Sequence, residues 1–259
     1  MNPELPEQAL LDLSGKVAVV TGGSRGLGRQ MASAFARAGA SVVVASRKLD
    51  ACEAAATEIA AETGQATLAV ECHVGKWESC DALFERTYAE FGRCDILVNN
   101  AGMSPLYDKL SNVTEALFNK VIEVNLRGPF RLCAIFGERM AQEDGGSIIN
   151  ISSTASVENT PNETAYGAAK AGLNAITESF SRAYGPKVRV NTIMPGPFGT
   201  DIADAWTDET KNQIGGRAAL GRIGEPHEIV GAAMYLASDA SSYTTGATIK
   251  IDGGIAWGT

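Results

Sequence analysis

The chain is poor in the residues on which many functions depend. Only two histidines occur, His73 and His227, and only five cysteines, Cys52, Cys72, Cys80, Cys94 and Cys133, with no C-x-x-C pair among them. Cys72 and His73 are adjacent rather than ligand-spaced, so a metal site is not expected, and an odd number of scattered thiols implies reduced cysteines in a cytoplasmic protein. No apolar run approaches the roughly 18 residues that a membrane helix needs. Residues 1–13 are polar and acidic, lack the basic and apolar regions of a signal peptide, and read as a short lead-in. Positive charge is also scarce: 22 Lys and Arg against 30 Asp and Glu give a net charge of -8. That balance argues against nucleic acid and anionic membranes as partners, because both select for clustered basic groups. Any anionic ligand must then be held by local positive groups.

What is present is a regular alternation. Of the 259 residues, 45% are hydrophobic, within reach of one α/β domain over residues 14–259. Apolar runs at 17–21, 41–45, 67–72, 96–99, 147–151, 188–194 and 248–251 predict strands. Between them, 27–38, 50–63, 78–91, 115–142, 165–184 and 227–238 predict helices. This pattern implies right-handed β-α-β crossovers and a doubly wound, mostly parallel seven-stranded sheet of Rossmann type, with helices on both faces. One segment, 197–225, is long, mixed and glycine-punctuated, as lids and substrate loops are.

Three local patterns carry chemistry. Thr21-Gly22-Gly23-Ser24-Arg25-Gly26-Leu27-Gly28 follows the first strand and opens a helix, so its backbone can approach a pyrophosphate facing the helix N-terminus. Tyr166 and Lys170, four apart in a helix, share one face. A close ammonium would stabilise the phenolate and bring the tyrosine toward neutral pKa, as a general acid/base needs. Asn150-Ile151-Ser152-Ser153 ends a strand thirteen residues before Tyr166, where a hydroxyl can donate to a substrate oxygen.

Together these patterns resemble the short, single-domain branch of the short-chain dehydrogenase/reductase family from about Leu13 to Gly254. The resemblance includes Asn99-Asn100-Ala101-Gly102, Val124-Asn125-Leu126, Arg189-Val190-Asn191, Pro195-Gly196, Thr200, Gly221-Arg222-Ile223-Gly224-Glu225-Pro226 and Asp252-Gly253-Gly254. It implies that Tyr166 is the acid/base and that Lys170 lowers its pKa and holds ribose hydroxyls. It implies that Ser153, rather than Ser152, polarises the substrate oxygen, and that Asn125 positions a relay water. Gly22, Ser24, Arg25, Gly26, Leu27, Gly28, Ser46, Arg47, His73, Val74, Asn100, Ala101, Gly102, Tyr166, Lys170, Pro195, Gly196 and Thr200 are the expected coenzyme contacts. Two departures stand out. His73-Val74 occupies the place where the family usually has Asp-Val, and Ala169 stands before Lys170 where serine is common. Pro129, four residues after Asn125, has no N–H and either kinks the helix or frees the Asn125 carbonyl to hold the water.

The resemblance thus implies an enzyme that moves a hydride between a nicotinamide coenzyme and a carbonyl or secondary alcohol on a small molecule, assembled as a homotetramer. NADP(H) is expected over NAD(H), because Ser46 and Arg47 follow the second strand where an acid would accept from a ribose 2′-hydroxyl. An NAD(H)-dependent alcohol or sugar dehydrogenase, a coenzyme-binding regulator and a sugar-nucleotide epimerase remain as alternatives. Phe198, Ile202, Trp206 and Ile214 either line an apolar pocket or pack the lid to the body. The acidic stretch Gln142-Glu143-Asp144 predicts a free substrate rather than one on an acidic carrier protein.

Overall fold

The computed structural model describes residues 10–158, 160–200 and 207–256. Seven strands, β1 (Val17–Thr21), β2 (Ser41–Ser46), β3 (Thr67–Glu71), β4 (Ile96–Asn99), β5 (Gly146–Ile151), β6 (Val188–Pro195) and β7 (Thr248–Ile251), form one sheet in the order β3-β2-β1-β4-β5-β6-β7. Every neighbouring pair is parallel. Valine and isoleucine dominate the central strands because both faces are covered, and β1 and β4 are buried along their whole length.

The helices are α1 (Gly26–Arg37), α2 (Leu49–Thr63), α3 (Trp77–Phe91), α4 (Glu115–Ile122), α5 (Gly128–Gln142), α6 (Thr164–Tyr184), α7 (Asp208–Gly215) and α8 (Val230–Ala237). Two apolar cores result. One joins Met31 and Phe35 of α1, Ile59 of α2 and Leu236 of α8 to one face of the sheet. The other joins Leu83 of α3, Leu132, Phe136 and Met140 of α5 and Val190 to the opposite face.

Three predicted elements differ. The helix expected over 115–142 is two helices, joined by a π turn at Glu123–Arg127 in which the Gly128 N–H reaches back to the Glu123 carbonyl. Pro129 is the second residue of α5, directly after the π turn. The helix expected from 227 begins as a 3-10 turn, Pro226–Ile229, capped reciprocally by Glu225 and Glu228. The 197–225 segment contains α7, started by Thr207, whose hydroxyl accepts from the Thr210 N–H. The side chains of Ile202 and Trp206, expected in the pocket wall, lie outside the described residues, as do residues 1–9 of the lead-in. All five cysteines are buried free thiols. Among the described residues no helix is long and apolar enough to cross a membrane.

Candidate active site

In a parallel sheet every strand delivers its C-terminal end to the same edge, and in this order the chain leaves β1 and β4 toward opposite faces, opening the crevice where doubly wound sheets bind ligands. All the predicted site residues fall on that edge or on the helices above it.

The β1–α1 loop is held by Thr21. Its hydroxyl accepts from the N–H groups of Asn100 and Ala101 and donates to the Val98 carbonyl. The Asn100 side chain donates to the carbonyls of Thr21 and Gly22, so the segment Asn100, Ala101, Gly102 after β4 braces the turn. The turn is too tight for side chains: a Cβ at Gly28 would lie 2.3 Å from the Gly22 carbonyl oxygen. Gly26 begins α1 with φ of 55°, a left-handed value that suits glycine. Helix α1 has neither a side-chain cap nor an acidic residue in its first turn. Its first N–H groups therefore suit an anion, and the cradle fits a dinucleotide pyrophosphate. Thr200 lies against it: a Cβ at Gly26 would meet the Thr200 methyl at 3.6 Å.

Ser46 is the last residue of β2 rather than the first beyond it. Its hydroxyl accepts from Ser24 at 3.1 Å and lies 3.0 Å from the Cys52 thiol. Arg47 beside it is exposed. His73 and Val74 follow β3 on the same edge, and Pro195 and Gly196 end β6, with the Gly196 N–H bonded to the Ile251 carbonyl. Arg189 and Asn191 are structural bolts. Arg189 reaches the carbonyls of Leu236 and Ser238, and Asn191 pairs with the backbone of Thr244 and Ala247.

The catalytic candidates converge from three elements. Ser153 caps a 3-10 turn, Thr154–Ser156, and its oxygen accepts the Ala155 N–H, leaving its proton free to donate. Ser152 is buried, and its hydroxyl is spent on the Lys170 carbonyl. On α6, Lys170 is buried and donates to the Ile151 carbonyl at 2.7 Å, with its ammonium 5.7 Å from the centre of the Tyr166 ring. Burial pushes the Tyr166 phenol up to about 12, against the Ser153 hydroxyl, which lowers it, while the Glu163 carboxylate raises it further. Burial lowers Lys170 to about 7. The net direction for Tyr166 is thus upward, opposite to the lowering expected from Lys170. The lysine is itself desolvated, so only part of its population is charged at neutral pH and it has little field to offer.

Asn125 lies in the π turn, fully buried, and its amide is fully used. Nδ2 donates to the carbonyls of Met103 and Val121, and Oδ1 accepts the Met103 N–H. The side chain thus fixes the backbone at Met103, just beyond the Asn100–Gly102 brace.

Three contributions were not visible in the sequence patterns. Asn99, Asn150, Thr177 and Thr192 form a buried chain: Asn99 donates to Asn150, Asn150 to Thr177, and Thr192 to Thr177, at 2.8, 2.8 and 3.0 Å. It ties β4, β5 and β6 to α6. Asn174 donates to Ser156, whose hydroxyl donates to the Ser153 carbonyl, so α6 also sets the Ser153 turn. Glu163 accepts from Ser104 at 3.0 Å and Thr160 at 3.3 Å. The only signal in the sequence was the run of polar positions 166, 170, 174 and 177 down one face of α6.

One expectation fails on position, and one open alternative is decided. Glu143 and Asp144 precede β5, at the opposite edge of the sheet, where Arg139 and Arg93 pair with them. They say nothing about the site mouth. Phe198 is buried in the core against the Gly224 segment, so it fastens the root of the lid rather than lining a pocket.

Residues 22–256 match the family model described as Enoyl-(Acyl carrier protein) reductase. The chain is 38% identical to 3-oxoacyl-[acyl-carrier-protein] reductase FabG of Chlamydia trachomatis over 94% of this chain and 98% of that protein. It is 36% identical to L-rhamnose 1-dehydrogenase (NAD(P)(+)) of Azotobacter vinelandii, over 93% and 96%. Among solved structures, the NADPH-dependent 3-quinuclidinone reductase of Rhodotorula rubra superposes with a TM-score of 0.92 at 30% identity, covering 98% of this chain and 97% of that one.

Proposed function

The chain belongs to the short-chain dehydrogenase/reductase family and is an oxidoreductase acting on carbonyl and alcohol groups; we propose that it is an NADP(H)-dependent enzyme interconverting a ketone and a secondary alcohol on a small organic substrate. The observation that carries this reading is the convergence of Ser153, Tyr166 and Lys170 on the edge that also holds the glycine cradle.

The coenzyme supplies the hydride. Gly22, Ser24, Gly26, Leu27, Gly28 and the N-terminus of α1 would hold its pyrophosphate, with Arg25 at the rim. Asn100, Ala101, Gly102, Val74, Pro195, Gly196 and Thr200 would flank it along the edge. Ser46 and Arg47 would receive the 2′-phosphate: neither is an acid that would repel it, and a guanidinium gives charge-assisted hydrogen bonds. Lys170, buried without an acidic partner, would take the ribose hydroxyls. In reduction, the Tyr166 phenol donates its proton to the substrate oxygen, and Ser153 donates a hydrogen bond to the same oxygen. With its pKa pushed up, Tyr166 is protonated at neutral pH and ready for that direction. Because the Asn125 side chain is fully engaged, its backbone carbonyl is the group left to hold a water that relays protons to Lys170, and Pro129 removes one competing donor.

Glu163 puts negative charge beside Tyr166, which favours a neutral, hydroxylated substrate over a carboxylated one. A 3-oxoacyl thioester is the second reading, favoured by the 38% identity to the carrier-protein reductase. Assembly as a homotetramer is the expected state. The test is turnover of a panel of neutral hydroxyketones, keto acids and 3-oxoacyl thioesters with NADPH and NADH, each against the wild type and Tyr166→Phe. Turnover of no carbonyl in the panel by the wild type, or equal rates in the variant, refutes the reading.

A further inference from the structure

Helix α6 carries Tyr166 in its first turn, where a helix holds its own main chain least. The first four N–H groups of a helix have no partner within it and need one from outside. Helices α4 and α7 take theirs from their own N-cap residues, through the hydroxyls of Thr114 and Thr207. Helix α6 does not. Its N-cap is Glu163, whose side chain makes no cap bond; the carboxylate instead accepts from Ser104 and Thr160. The N–H of Ala165, a buried residue directly before Tyr166, donates to the hydroxyl oxygen of half-buried Tyr107 at 3.2 Å. The helix is thus capped by a residue 58 positions away.

Tyr107 can act as a cap because its own segment is fixed at both ends. At Met103 the Asn125 side chain accepts the backbone N–H and donates to the carbonyl. Ser104 donates to Glu163 at 3.0 Å, and Pro105 after it locks one backbone angle. At the far end the Tyr107 N–H donates to the Asn162 carbonyl at 3.2 Å, in the 3-10 turn Pro161–Glu163 that leads into α6. Main chain and side chain of Tyr107 therefore grip the chain on both sides of the α6 start. That grip runs back through residues 103–107 to the π turn at Asn125.

We propose that Tyr107 is a positioning residue for Tyr166: by capping α6 at Ala165 it fixes the turn from which the phenol reaches the substrate oxygen. This rests on the reading of Tyr166 as the proton donor above. A buried N–H without a partner is disfavoured, so with the hydroxyl gone the first turn shifts to find another acceptor, and the phenol shifts with it. A hydroxyl also caps without adding charge beside the phenol, whereas an aspartate cap would push the Tyr166 pKa further up.

The test is Tyr107→Phe, which keeps the ring and removes only the acceptor. It is measured with NADPH and the fastest carbonyl of the panel above, by steady-state rates in light and heavy water and by fluorescence titration of NADPH. The kcat per NADPH-binding site should fall by about tenfold, as a misplaced reacting group requires, while KM and NADPH affinity stay within about twofold. The solvent deuterium isotope effect on kcat should rise, because proton transfer from a misaimed phenol slows and takes a larger share of the rate. A kcat within about twofold of wild type, or a lower kcat with an unchanged isotope effect, overturns the proposal. A rise in KM alone also overturns it, since Tyr107 would then be a substrate contact, as does lost NADPH affinity, since its role would then be support of the whole site. Wild-type rates in Tyr166→Phe would instead bring down the reading of Tyr166, and this inference with it.

Discussion

Under the glycine cradle, β1, β2 and α1 bury valine, alanine, Met31 and Phe35, and the loop above them works through backbone N–H groups. Under Tyr166, the buried positions of β4, β5, β6 and α6 include Asn99, Asn150, Thr177 and Thr192, linked by side-chain hydrogen bonds. The difference follows from what each half must hold. A pyrophosphate would be bound by main chain, so once Thr21 and Asn100 close the turn, apolar packing beneath it is enough support. A phenol and the hydroxyl of the Ser153 turn must be aimed to within fractions of an ångström, and directional hydrogen bonds beneath them do that.

The comparison can be broken most sharply at its two functional ends. Tyr166→Phe should keep the fold and dinucleotide affinity yet lower kcat by at least about a hundredfold, the usual scale for a lost general acid. Gly28→Ala should do the reverse, because its methyl would meet the Gly22 carbonyl at 2.3 Å. Titration should show coenzyme binding lost in a protein that still folds, and unchanged affinity would mean that the turn is looser than its geometry implies. Replacing Ser46 with Asp together with Arg47 with Ala should move the NADPH-to-NADH ratio of kcat/KM by about ten- to a hundredfold toward NADH. A wild-type preference for NADH would remove the 2′-phosphate assignment.

A matched pair of core variants sharpens the contrast. Asn150→Ala leaves Asn99 and Thr177 without partners and should cost about 1–3 kcal/mol in denaturant unfolding, with kcat falling while dinucleotide affinity holds. Val43→Ala, in the apolar half, should cost a similar amount and spare kcat. If both variants lower kcat alike, the polar chain has no positioning role. The smallest expected effect is at Glu163. Its charge raises the Tyr166 pKa, so Glu163→Gln should let that pKa fall and move the rise of alcohol oxidation to lower pH. A shift to higher pH would contradict the arrangement.

Some of this site is local and was therefore legible along the chain. The glycine cradle is a strand, a turn and a helix start within a dozen residues, and Tyr166 and Lys170 share a helix face whatever surrounds them. The order of apolar runs fixed the parallel sheet, because β-α-β crossovers have one hand. The resemblance favoured Ser153 over Ser152, and the Ser152 hydroxyl bonds to the Lys170 carbonyl.

Other features depend on which groups meet in space. The Asn99, Asn150 and Thr177 links join residues 51 and 27 positions apart, and no local pattern marks them. Glu143 and Asp144 read as neighbours of the site because β5 leads to it, yet a strand's two ends lie on opposite edges. The 115–142 stretch kept its helical period while the backbone widened to a π turn that seats Asn125 under Met103. The pKa values of Tyr166 and Lys170 were decided in the same way. Spacing put the two side chains together, but burial, a property of everything packed around them, pushed the phenol up and the ammonium down. The sequence by itself determined the sheet, the cradle and the shared helix face of Tyr166 and Lys170, since these follow from short-range sterics and periodicity. Tertiary structure alone decided their protonation and their aim, since both depend on desolvation and on hydrogen bonds between distant segments.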